Sequence, residues 1–382
     1  MKNPVTRRTF VGQLAATVAG LSVPAHLQAQ NTNVAARSTG GDYDSVAKLA
    51  SNENPYGPSQ SVLDAMSRAT KYANRYRYPD PGLIQAIAAY HGVRQDNVLL
   101  GAGSTEILHV AAMAFLQNGK KVIGVEPTFS SVYEFATGLR TNAIRLPLKA
   151  DHRQDTQALI KAVGQHANEI GLVYVCNPNN PTGLIVPRNE IRELLNELPR
   201  EIPILVDEAY HDFVDTPEYD SAIPAVNEGR PVIVARTFSK IFGMAGMRLG
   251  YGLAPAPLMQ RMRPYAGSLN VNVLARFGGV AALEDKAGYD RVRTATIQLR
   301  SDTSREIQRH GYAVIPSHGN FFMVHVRRAV GEVIQDFRQR NILVGRPFPP
   351  MLEHLRVSIG TADEMARFLA AFKEIFPKIE SK

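Results

Sequence analysis

Between residues 98 and 253, short apolar runs alternate with stretches of helical period. Residues 98–100 lead into a segment where Ile107-Leu108, Val110-Ala111 and Met113 to Leu116 recur at helical spacing. Apolar runs follow at 121–125, 143–148, 172–176, 204–206, 231–235 and 249–253, and residues 188–198 have helical period. Strands that are apolar on both faces and separated by helices predict a mostly parallel sheet covered on both sides. Ligands then bind outside the strand carboxyl ends. After about Asn272 the pattern changes. A long polar-faced helical stretch covers 290–310, and shorter strands are expected at 312–315, 321–326, 342–344 and 355–359. This predicts a smaller α+β domain, to which the segment near Asn52 returns.

The first thirty residues break the pattern. Thr6-Arg7-Arg8-Thr9-Phe10 precedes a weakly apolar, Ala/Gly-rich segment from Leu14 to Val23, and Ala29 offers a cleavage site. This predicts a twin-arginine signal peptide over 1–30, too short in its apolar part to span a bilayer, and a polar linker over 31–44. Export through the twin-arginine machinery to the periplasm, without stable membrane insertion, is the expectation. The chain has 382 residues, enough for two domains with a real core, and a formal net charge of +8. It lacks a lysine-rich run or a basic stripe with interleaved aromatics. The positive balance therefore suits small anionic ligands, and no nucleic-acid partner is expected. A single cysteine, Cys176, excludes an intrachain disulfide and a thiolate metal cluster, and its apolar surroundings predict a buried strand residue. No metal is expected.

Candidate chemistry collects where strands should end. Between the runs at 231–235 and 249–253 lies Thr237-Phe238-Ser239-Lys240, with Arg248 eight residues on. A lysine beside a buried strand is costly unless paired or neutral, and Schiff-base chemistry uses that lowered pKa; the alternative for this stretch alone is a surface turn whose Lys240 and Arg248 are merely solvated. Thr237, Ser239 and Arg248 offer donors to a phosphate. Gly103-Ser104-Thr105 enters a helix whose free N–H groups form an anion seat, although Ser and Thr are also ordinary caps. Asn177-Pro178-Asn179-Asn180-Pro181-Thr182-Gly183 constrains a turn in which Asn180 can hold a ligand oxygen. Asp207 at the mouth of a buried strand calls for a cationic partner such as a protonated pyridine, and Tyr210 can donate to a phenolate. Glu208 is expected to face outward with no part in the site. Phe129 offers a flat ring for stacking, though a lone aromatic there would also serve as core.

Asn52-Glu53-Asn54-Pro55-Tyr56-Gly57, Tyr78-Pro79-Asp80, Asn177 to Gly183, Asp207 to Tyr210, Thr237 to Lys240 with Arg248, and Leu355-Arg356-Val357-Ser358-Ile359-Gly360-Thr361 occur in one order. Together they resemble the class I/II pyridoxal-phosphate aminotransferases, specifically the histidinol-phosphate aminotransferase branch, from Val46 to the C-terminus. The resemblance implies the type I fold: a seven-stranded, mostly parallel large domain plus a small α+β domain, with active sites shared in a homodimer. The corresponding divisions are an N-terminal arm over 45–60, a large cofactor-binding domain over 61–275 and a small domain over 276–382. It further implies that Lys240 forms the internal aldimine with pyridoxal 5′-phosphate and moves the proton. Asp207 would pair with the pyridine nitrogen, and Tyr210 and Asn180 with the ring oxygen, while Phe129 stacks. Ser104, Thr105, Thr237, Ser239 and Arg248 would seat the phosphate, with Tyr56 reaching it from the other subunit. Arg356 would clamp the substrate α-carboxylate, next to Asn180.

One position departs from that branch. Its members usually carry a phosphate-reading arginine where this chain has Gly345. Arg346 comes one residue later and is expected on the opposite face of an extended segment, out of the pocket. The function implied is amino-group transfer between an amino acid and a 2-oxo acid. Racemisation, β-elimination or amine oxidation on the same site are alternatives, as is, more remotely, a non-catalytic exported binding protein.

Overall fold

The computed structural model describes residues 45–76, 79–268 and 270–379. The signal peptide, the linker and Tyr78 lie outside the described residues. The central sheet holds seven strands: β2 (Val98–Gly101), β3 (Lys121–Glu126), β4 (Ala143–Pro147), β5 (Ile170–Cys176), β6 (Ile204–Asp207), β7 (Val232–Thr237) and β8 (Gly250–Leu253). β1 (Ala47–Leu49) lies outside it. The strand order is β2-β8-β7-β6-β5-β3-β4, and only β8 runs antiparallel to its neighbours. The fold is therefore α/β with a large, mostly parallel sheet.

The apolar runs are continuous because each strand serves two cores. Ile204 and Val206, with Val232 and Val234, pack into one layer against helices Gln60–Ala69, Leu83–His91, Thr156–His166, Arg188–Glu197 and Val273–Glu284. Leu205, Ile233, Ala235, Tyr174 and Cys176 face the other layer, against helices Ser104–Phe115, Ser131–Gly138 and Ala256–Met262. The alternation continues past the apolar residues. Asp207 and Thr237 fall on the side of helix Ser104–Phe115, and Glu208 and Arg236 on the other. That second face is covered as well, which corrects the expectation for Glu208. Its carboxylate is buried, at 1% exposure, and paired with Arg236 at 2.7 Å.

The remaining strands form two small sheets. β9 (Val314–Ile315), β10 (Phe321–His325) and β12 (His354–Ser358) are antiparallel, in the order β12-β10-β9. β1 pairs in parallel with β11 (Ile342–Val344), so a strand near the start of the described chain joins elements near its end. Helices Val330–Arg338 and Ala362–Ile375 cover a separate apolar cluster that includes Leu49, Phe322, Val344, Val357 and Phe368. The second helix begins with a capping box between Thr361 and Glu364. Among the described residues no helix is long and apolar enough to cross a membrane.

Candidate active site

A cavity of about 200 Å³ opens at the carboxyl ends of β6 and β7. Ser104, Thr105, Phe129, Asp207, Tyr210, Thr237, Ser239, Lys240 and Arg248 all line it. Asn180 and Arg356 are not among its lining residues; Asn180 bonds Tyr210, which lines it, and Arg356 bonds Asn180. Tyr56 does not line it; the residue is 43% exposed on the chain's own surface. Ser51 and Glu53 also line the cavity, with Asn52 between them; the sequence marks Asn52 and Glu53 as part of a motif but assigns none of the three a role.

At one end the backbone makes the seat. Helix Ser104–Phe115 starts behind Gly103, at φ +82°, and its first two residues, Ser104 and Thr105, line the cavity, where the first N–H groups of a helix have no partner within it. A Cβ on Gly103 would stand 2.3 Å from Arg248 Nη2, so the bare glycine lets the guanidinium lie against this turn. Across the sheet a Cβ on Gly250 would meet Ser104 N at 2.3 Å, which allows the helix start to approach β8. Arg248 donates from Nη2 to Ala102 O at 3.3 Å and from Nη1 to Ala245 O at 2.9 Å and Ser239 Oγ at 3.5 Å. Thr237 Oγ1 donates to Ser239 Oγ at 2.9 Å. Free N–H groups, two hydroxyls and a guanidinium fit a phosphate dianion.

In the middle stand an acid and a base. Asp207 Oδ1 accepts the Ala209 N–H at 3.2 Å, and Oδ2 accepts the Tyr174 hydroxyl at 3.4 Å. Burial pushes its pKa up to about 6, and the Ala209 and Tyr174 donors and Lys240 only partly oppose this. A carboxylate so held has an unmet need for a cation. Lys240 Nζ donates to Ser51 O at 3.2 Å and lies 5.5 Å from the Tyr210 ring centroid. Burial, then Arg356, pulls its pKa down to about 8, while Glu53 and Asp207 act in the opposite sense. The Tyr210 hydroxyl accepts from Asn52 Nδ2 at 3.1 Å and Asn180 Nδ2 at 3.3 Å. Both lone pairs are then used, and the phenol proton is left to point elsewhere.

At the other end Arg356 donates from Nη1 to Asn180 Oδ1 and from Nη2 to Ala50 O, each at 2.6 Å. Its Nε is buried with no partner. Its guanidinium carbon lies 5.6 Å from the Phe321 centroid and 4.7 Å from that of Phe348. Burial first, with Arg346 adding to it, lowers its pKa to about 10. An orphaned donor on a buried cation is where a carboxylate gains most. The segment before it is pinned in place. Asn52, buried at φ +53°, bonds Tyr210 and accepts from Ser358 Oγ at 2.9 Å, and Asn54 Nδ2 donates to Ile241 O at 2.9 Å. Arg346 does not line the cavity, yet its guanidinium carbon sits 4.4 Å from the same Phe348 centroid that Arg356 approaches. A side chain on Gly345 would place its Cβ 2.7 Å from Arg356 O and 3.1 Å from Arg356 Cβ. The glycine is thus fixed by close packing against the clamp.

Comparison with known proteins agrees with this chemistry. The sequence profile described as "Aminotransferase class I and II" matches residues 44–372. "Histidinol-phosphate aminotransferase" of Moorella thermoacetica is 36% identical over 337 residues, 86% of this chain and 85% of the relative. "Histidinol-phosphate aminotransferase 2" of Carboxydothermus hydrogenoformans is 36% identical over 336 residues, 86% of this chain and 91% of that one. The solved histidinol-phosphate aminotransferase of Sinorhizobium meliloti, in complex with pyridoxal-5′-phosphate, superposes with a TM-score of 0.80 at 25% identity, covering 94% of this chain and 96% of its own.

Proposed function

The chain belongs to the class I and II aminotransferases, and from that premise we propose how its own residues carry out pyridoxal-phosphate-dependent transamination. The bound cofactor supplies an electron sink for the substrate Cα. Lys240 Nζ would hold it and, as a free amine, would take the proton from the substrate Cα and pass it to the cofactor rather than back to Cα. The lowered pKa of Lys240 leaves part of the population as free amine near neutral pH, as both tasks require. Asp207 would accept the ring N–H, which would offset the burial of its own charge. Tyr210 would donate its free proton to the ring oxygen, with the Asn180 amide as a second donor. Phe129 would stack on the ring. The Ser104 and Thr105 N–H groups, Thr237, Ser239 and Arg248 would hold the phosphate, and Arg356 would orient the substrate through its α-carboxylate.

The observation that carries this reading is the unpartnered Nε of Arg356, beside a lysine and a carboxylate that both lack full counter-charges. Substrates are an amino acid and a 2-oxo acid. Histidinol phosphate is not assigned, because Gly345 packs against Arg356 and leaves no room there for a phosphate-reading side chain. The test is an amino-donor screen on purified holoprotein, following the cofactor spectrum and 2-oxo acid together. Conversion of the cofactor to its amine form, with stoichiometric oxo acid, supports the reading. Turnover without that form would favour elimination or racemisation.

Two further parts of the reading concern assembly and place. We take the working unit to be a homodimer in which Tyr56 contacts the partner's phosphate seat, supported by its exposure and its absence from the chain's own cavity. Mixing Lys240→Ala with Tyr56→Phe chains then yields activity above either parent; no recovery would put Tyr56 within its own subunit. The Arg7-Arg8 pair supports export of the folded, loaded enzyme to the periplasm. Replacing both with lysine leaves active, unprocessed protein in the cytoplasm, and a wholly cytoplasmic wild type would refute this.

A further inference from the structure

Directly behind the cavity, on the reverse face of the central sheet, lies the buried pair of Glu208 and Arg236. Arg236 Nε donates to Glu208 Oε2 at 2.8 Å, and Nη2 lies 2.7 Å from the same oxygen. The side chains are 7% and 1% exposed. Ser221 Oγ donates to Oε2 at 2.8 Å and accepts from Arg236 Nη2 at 3.0 Å, and the Ala222 N–H donates to Oε1 at 2.7 Å. The Glu208 N–H also donates to Ala235 O at 2.9 Å, which extends the β6–β7 ladder by one bond. Both carboxylate oxygens are therefore satisfied, and the carboxylate has one orientation.

Such a pair costs desolvation and gives little net stability over apolar residues of equal volume. What it does provide is geometry. Glu208 follows Asp207 and Arg236 precedes Thr237, so the pair ties the ends of two neighbouring strands one residue away from two cavity groups. The Asp207 backbone is fixed in the sheet, its carbonyl accepting the Asn177 N–H at 2.9 Å, but its carboxylate has only long bonds, 3.2 Å from Ala209 N and 3.4 Å from Tyr174 Oη. We propose that Glu208 and Arg236 are positioning residues: their ion pair staples the ends of β6 and β7 and fixes the spacing between Asp207 and the Thr237–Ser239 phosphate seat. A rigid ligand with a ring nitrogen at one end and a phosphate at the other requires that spacing. The proposal rests on the pyridoxal-phosphate reading above and extends it to residues that touch neither ligand nor substrate.

The test compares three full-length chains: wild type, Glu208→Gln, and Glu208→Gln combined with Arg236→Met. The single variant leaves a buried guanidinium without its counter-ion, so its melting temperature falls. The double variant buries no charge, and its glutamine can still accept from Ala222 and donate to Ser221, so the melting temperature recovers. A positioning role predicts that the double variant nevertheless keeps a pyridoxal-phosphate Kd about tenfold above wild type, the lower end of what outer-shell losses cost at metal sites. The pH midpoint of the bound cofactor's absorbance change should also shift, because Asp207 no longer meets the ring nitrogen squarely. Wild-type Kd and midpoint in the double variant would overturn the proposal and leave the pair purely structural. Should the double variant fail to fold, Arg236→Lys keeps the charge and loses the two-pronged contact; a raised Kd there supports the proposal and an unchanged one overturns it. A wild-type chain that takes up no pyridoxal phosphate would instead refute the functional reading, and the proposal with it.

Discussion

At the phosphate end of the cavity Thr237, Ser239, Lys240 and Arg248 come from one continuous stretch of chain. At the carboxylate end Arg356 bonds Asn180, 176 residues away in sequence, and Ala50, 306 away. The first end also takes in a second short stretch, Gly103 to Thr105, so it is a property of local backbone in two places: a strand end, and a glycine of positive φ at a helix start. The second is assembled from three separate segments meeting over Phe348 and Phe321. The phosphate end should therefore be rigid and tolerant of distant change. The carboxylate end should depend on how β12 and the residue 50–54 segment are held.

The sharpest way to break this contrast lies at its midpoint. Asp207→Ala removes the partner of the ring nitrogen, and turnover should fall by about 10²-fold or more, the scale of losing one preorganised electrostatic group. Near-normal turnover would mean that Asp207 faces something else. The two ends should then separate cleanly. Arg356→Gln should raise KM for the amino acid by about 10–100-fold, the range for losing hydrogen bonds to a charged group, and leave the Kd for pyridoxal phosphate within about twofold. Arg248→Gln should do the reverse, raising the cofactor Kd about tenfold. If either variant moved both constants equally, the ends would not be independent.

The contrast also explains what could be read from the chain. The phosphate end was legible because its residues fall in two short stretches, 103–105 and 237–248, and the strands because their apolar runs are continuous. Asn52 and Glu53 stood in a quoted motif, but nothing local said that Asn52 bonds Tyr210 and Ser358; that contact spans 158 and 306 residues. Glu208 was misread because alternation predicts which way a side chain points but not what covers that face. Arg346 shows the same gap: it shares the Phe348 ring with Arg356 because of the path after β11, which has no sequence period.

Protonation sharpens the contrast further. Covalent capture of the cofactor needs neutral Lys240, whose pKa is near 8, so the capture rate should rise about tenfold per pH unit below that value and level off above it. A flat profile would contradict the assignment. Asp207 acts in the opposite sense. Its folded pKa lies above the unfolded value, so its contribution is fully present below the unfolded pKa and is lost as pH rises through about 6. The apoprotein should lose stability over that window relative to the loaded enzyme, and melting curves from pH 4 to pH 7 would report it. The smallest effect expected is that of Asn52→Ala. It removes one of the two amides on Tyr210 and should change KM only a few-fold, with the cofactor Kd unaffected. A large change in cofactor affinity would mean that the residue 50–54 segment belongs to the phosphate end after all.

The account stands on Lys240 as the residue that carries the cofactor. Borohydride reduction of the holoprotein, followed by peptide mapping, reads this directly. The account predicts a single stable adduct on the peptide containing Lys240, at one per chain; an adduct on any other lysine, or none, would contradict it.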